Sequence, residues 1–273
     1  MRRQSQVPIK ASRSARTGVF IGASFAIWIM LAGCTPPTPA DFANATVSPV
    51  PTGAPPQPGS VMVTLEDRVR SWVDGGRVEV PGRVALDQGW LEVAVCRRGS
   101  REHESIVVVD VEPSVVHAAL LLAGFEPGSP AVWNRRSGWT EATGDPIAIL
   151  LQVVERGRRR DVPLASAIRD ERGDRSPTWV FAGSRFDRST DGAPADGRYV
   201  ADVSGTVVGL STFGDEVVAG REIRSPDSTI DPVIWSIRRG ILPPVDSEVT
   251  VVFTTPGSEA AATGSYADPS SGS

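Results

Sequence analysis

The sequence predicts an α+β domain: a mixed, mostly antiparallel sheet with one buried helix over residues 113–123 and one or two further short helices. Three observations predict it. Valine-rich runs punctuated by Gly and Pro outnumber helical patterns. These runs do not alternate regularly with helices, as a doubly wound parallel sheet would require. One segment, "PSVVHAALLLAG" from Pro113 to Gly124, carries both a helix start and a helix stop.

In chain order, "RVEVPGRVALD" and "GWLEVAVC" read as strands, broken at Pro81-Gly82 and Gln88-Gly89. "ESIVVVDV" is a continuous apolar run, expected where a strand is covered on both faces. In the helix that follows, Pro113 suits the first turn and Gly124 the residue past the end. Val115, Val116, Ala119, Leu120, Leu122 and Ala123 make it apolar nearly all round, so burial is expected. "DPIAILLQVVE", "TWVFAGSRF", "RYVADVSGTVVGL" and "SEVTVVFTT" are further strands, and a short helix is expected over Leu164–Arg169.

The ends have another character. Residues 1–33 hold Arg2, Arg3, Lys10, Arg13 and Arg16 and no acid, followed by an apolar core from Gly18 to Ala32. That core is short of the ~20 residues a membrane-spanning helix needs and suits a signal peptide. It ends in "LAGC", Leu31 to Cys34. This tetrapeptide resembles the lipobox of bacterial lipoproteins. The resemblance implies a diacylglycerol on the Cys34 thiol, cleavage before it, and an acyl chain such as palmitate on the new amine. Several acyl chains anchor stably where one does not. Thr35, rather than an acid, slightly favours an outer-membrane destination. Residues 34–61 form a tether, with eight prolines between 35 and 60. The folded domain is expected over 62–255, and the small, polar residues 256–273 as a disordered tail.

Without residues 1–33 the chain keeps 23 basic and 32 acidic side chains, a net −9, and every remaining basic residue is Arg. Such a domain is a poor nucleic-acid binder. Its one basic cluster, "RGRRR" from Arg156 to Arg160, reads as a solvated turn between strands. With Cys34 acylated, Cys96 is the only thiol left, so no intramolecular disulfide and no cluster with several cysteine ligands can form. His103 and His117 are the only histidines and cannot complete a three-histidine zinc site. No metal and no cofactor is expected.

The candidate chemistry lies in "CRRGSREHESIVVVD", residues 96–110. If the two flanking strands form a symmetric hairpin, Cys96 stands opposite His103, close enough for an activated thiolate. Glu104 would then point to the other face. The catalytic candidates are therefore Cys96, His103 and Glu104. The competing reading, which we favour, is a buried cysteine at a strand end with His103 and Glu104 bonded to the loop. His117 reads as a satisfied core histidine. Ser184 in "AGSRF" lacks the G-x-S-x-G frame of a nucleophile elbow. Asp215 and Glu216 in "TFGDEVV" read as a solvated turn.

"GWLEVAVCRRG", "HESIVVVD" and "PSVVHAALLLAGFEPG", followed by "GDPIAI", "IRD", "WVFAGSRF" and "VVGLSTFGDEVV", resemble the YdjY domain family of bacterial envelope proteins. The resemblance covers about Val63 to Phe253. It implies recurrent positions at Cys96, Gly99, His103, Glu104 and His117 and no activity for any of them. Arg101 stands where the family often has Lys. Some members are labelled ferredoxin-like, a label that one free cysteine cannot support. The expectation is an envelope lipoprotein facing the periplasm. Its partners would be the membrane, through the lipid, and an envelope protein or cell-wall component. Alternatives are a periplasmic enzyme or redox or metal protein centred on Cys96 and His103, and a small-ligand module near "WVFAGSRF".

Overall fold

The computed structural model describes residues 61–134, 138–155, 157–173, 175–187, 197–221, 229 and 234–257. The expected signal and lipobox, residues 34–60 of the tether expected over 34–61, and residues 258–273 of the tail expected over 256–273 lie outside them. The α+β expectation is overturned: the fold is mostly β, 43% strand and 13% helix, around a closed eight-stranded barrel.

The barrel strands are β1 (Arg77–Val84), β2 (Val93–Arg97), β3 (Val107–Val109), β4 (Pro146–Glu155), β5 (Trp179–Phe181), β6 (Thr206–Gly209), β7 (Val218–Gly220) and β8 (Glu248–Thr254). Their order around the ring is β1-β8-β4-β5-β7-β6-β2-β3, and β3 returns to β1. Two pairs, β2–β3 and β6–β7, are parallel, and the other ring pairs are antiparallel. Period-two alternation turns Val78, Val80 and Val84 of β1 into the core with Val249, Val251 and Phe253 of β8 and Ile147, Ile149, Leu151 and Val153 of β4. Each such side chain contributes ~1.5–3 kcal/mol by burial.

The closing seam depends on Gly82. A Cβ there would lie 2.7 Å from the Val108 carbonyl oxygen and 2.9 Å from Val107 Cγ1. Pro81 does not break β1 as expected. One edge of β1 pairs with Val69–Trp72 through Arg77–Glu79 and with β3 through Gly82–Val84. Pro81 falls between those pairings, where a missing N–H is tolerated.

Helix α1 (Pro113–Leu122) starts at Pro113 and ends before Gly124, whose φ is +89°, as expected. Its Val116, Ala119 and Leu120 join the barrel core. It is not buried all round, however: Leu121 and Leu122 are 47% and 38% exposed. The first half of "RYVADVSGTVVGL" forms a short helix, α2 (Val200–Ser204), rather than a strand. It stops at Gly205, which has φ +79°. Leu164–Ala167 is a single 3-10 turn, and Ile168–Asp170 pairs as a strand with Trp235–Ile237. Strand Arg158–Pro163 folds back on β4 as a hairpin.

Candidate functional site

Cys96 and His103 do not face each other. Strands β2 and β3 run parallel, so Cys96 lies beside Val108 on one side and Thr206 on the other. The connection climbs back through a 3-10 turn, Glu102–Glu104. That turn holds His103 in solvent, its side chain 79% exposed and its Nε2 3.9 Å from Glu104 Oε2. Cys96 is fully buried. Burial pushes its thiol pKa up, against the smaller pull of hydrogen bonding from Ser105, Ser100 and the Arg101 backbone. A thiol held protonated is a poor nucleophile.

The residues 98–105 that cover Cys96 are fastened from several sides. The Gly99 N–H donates to Glu102 Oε1 at 2.6 Å, and Ser100 Oγ donates to the Arg97 carbonyl at 2.5 Å. A Cβ on Gly205 would sit 2.3 Å from Ser100 Oγ, so glycine is required there. Arg101 lies 4.2 Å above the Phe213 ring centroid. Its guanidinium bridges Glu104 Oε1 at 3.8 Å and Asp215 Oδ2 at 3.6 Å.

Asp215 and Glu216, read from sequence as a solvated turn, are buried. The Asp215 N–H donates to Glu216 Oε2 at 2.9 Å. Glu216 Oε1 and Asp215 Oδ1 are buried without a hydrogen-bond partner. Burial, then repulsion from Asp215, pushes the Glu216 pKa up to about 8. A proton on Glu216 supplies the donor these oxygens lack. Glu216 was missed because adjacent acids after a glycine look alike in sequence whether exposed or enclosed.

The segment after β5 joins the same region. Ser184, with φ +54°, donates through Oγ to the Asp215 carbonyl at 2.7 Å. Tyr199 OH donates to the Gly183 carbonyl at 2.9 Å and lies 2.7 Å from His117 Nδ1. The tyrosine proton is thus used, and the imidazole donates from Nδ1. Burial lowers the His117 pKa, and the neutral ring packs edge-on against Phe181 and Tyr199. His117 is the satisfied histidine the sequence suggested.

The structure thus brings Cys96, Glu104, Arg101, Asp215, Glu216 and Ser184 into one interlocked polar layer, with His103 outside it. Ser184 spends its hydroxyl proton on the backbone, and Cys96 is covered. Among the described residues no three His, Cys, Asp or Glu side chains are placed to hold a metal ion. An open groove lies elsewhere, over the outside of β1, β8 and β4 and strand Arg158–Pro163.

Comparison with known proteins gives the class. The YdjY domain model matches residues 73–254, which span all eight barrel strands. The chain belongs to the YdjY domain family. No curated protein and no solved structure matches it.

Proposed function

We propose that this protein is a lipid-anchored envelope lipoprotein whose YdjY barrel is a binding module held off the membrane by the Pro-rich tether. The anchor rests on "LAGC", directly after the apolar core and before the prolines. The binding reading rests on one observation: the candidate Cys96 is sealed beneath residues 98–105 and parted from His103, while an open groove runs over the barrel exterior. The lipid faces the periplasm, and the outer membrane is the favoured destination. The partner is an envelope protein or cell-wall component.

The anchor is tested with Cys34→Ala. Acylation and processing should be blocked, and a labelled fatty acid should mark the parent and not the variant. Identical processing and membrane fractionation of the two would refute the lipoprotein reading.

A further inference from the structure

The groove has the charge of neither the chain nor the barrel core. It is lined by Arg68, Arg83, Arg158, Arg159 and Arg160, in a chain whose formal net charge is −4. Asp110, Glu155 and Glu248 interrupt them. "RGRRR" is therefore not only a turn: Gly157 turns, with φ +76°, and Arg158 to Arg160 run up a strand along the groove.

Its size excludes a snug small-molecule site. The groove holds 2070 Å³ and is open to solvent, against roughly 300–1,000 Å³ for ligand pockets. Its shape suits an extended chain lying across the strands. At its floor Gln152 is nine-tenths buried, and its amide nitrogen has no hydrogen-bond partner. A carbonyl-bearing ligand would satisfy that amide after it rotates.

The arginines are held by ion pairs that a ligand can replace. Arg83 meets Glu248 at 3.1 Å, Arg160 meets Glu155 at 2.9 Å, and Arg159 meets Asp161 at 3.3 Å. All three guanidiniums are exposed, and such pairs contribute little. A carboxylate can take a guanidinium through two parallel bonds. Acids set between the arginines repel a uniformly anionic phosphate backbone and accept amide N–H groups. Among the described residues no aromatic side chain lines the groove to stack a base.

From this geometry we infer that the groove binds an extended acidic peptide, its carboxylates on Arg83 and Arg159 and its backbone over Gln152. The inference rests on the binding-module reading and names its ligand class.

The test is fluorescence anisotropy on the full chain in nonionic detergent, with a short labelled peptide alternating glutamate and threonine. The expected result is binding that weakens with salt, at least about tenfold tighter than for the glutamine–threonine analogue. Arg83→Glu with Arg159→Glu, both at exposed positions, should remove that preference while leaving thermal unfolding unchanged. Equal binding of the neutral peptide, lost in the double variant, would overturn acid recognition and leave the binding module standing. Binding of neither peptide would overturn the inference. So would an acidic-peptide affinity untouched by the double variant, or tighter binding of single-stranded oligothymidylate.

Discussion

Cys96 is surrounded by backbone and hydroxyls but shielded from water, and this sets its behaviour. It should react slowly with a thiol reagent in the folded protein and quickly only after unfolding. Fast labelling near pH 6, lost in His103→Ala, would contradict the geometry. Cys96→Ser should destabilise by about 1–3 kcal/mol, the usual penalty for a poorly satisfied buried polar group. Glu216 makes a sharper prediction. Its pKa rises from 4.5 to about 8 on folding. The folded chain then holds a proton that the unfolded chain gives up above pH 4.5. That stability is fully present below pH 4.5 and is lost as pH rises through 8. The charges around it are Asp215, with Arg101 beyond at 3.6 Å from that carboxylate. Glu216→Gln keeps a donor and removes the titration. Melting temperatures of the parent should fall between pH 5 and 8.5, and the variant's should fall less and lie higher at pH 8.5. Parallel curves would place the proton elsewhere. The buried cysteine was legible from the valine run that precedes it, and the bonded His117 from the apolar neighbours on both its sides. The acid pair was not: its burial comes from the loop around Arg101, distant in the chain.

Helix α1 was read to within a residue because its boundaries are local, a proline at one end and a glycine at the other. Leu120, fully buried between helix and barrel, should cost about 2–5 kcal/mol as Leu120→Ala in denaturant unfolding. The exposed Leu121 should cost far less by the same change. The hairpin assigned to residues 96–103 failed for a reason of geometry. Parallel neighbours ordinarily need a crossover of a dozen or more residues. Here β2 ends at Arg97 and β3 begins at Val107. A 3-10 turn and the positive φ of Gly99 make so short a return possible. Gly82 carries the seam between β1 and β3. Gly82→Ala should destabilise by on the order of 1–3 kcal/mol, because the nearest obstacle is a backbone carbonyl that cannot rotate away. A neutral substitution, by thermal unfolding, would mean the seam can shift.

At the scale of the molecule, the barrel strands were readable one by one except β7, Val218–Gly220, and their pairing was not. Valine runs disclose burial but not which neighbour covers them, so a ring and an open sheet look alike in sequence. The expected Leu164–Arg169 helix gave way to a 3-10 turn and a strand, since Ile168–Asp170 finds a partner in Trp235–Ile237, in a small sheet separate from the ring. The most consequential pairing is the last. β8 lies between β1 and β4 and is hydrogen-bonded to both along its length. A chain ended at Asp246 should therefore lack cooperative unfolding by circular dichroism, whereas one ended at Gly257 should keep it. Order in time follows from this order in space. A ribosome delivers residue 77 long before residue 248. Until the final staves arrive, β1 and β4 have open edges facing each other and nothing to join them. The ring is a clasp fastened by its last link, so the barrel stays unclosed until almost all of the domain has been made.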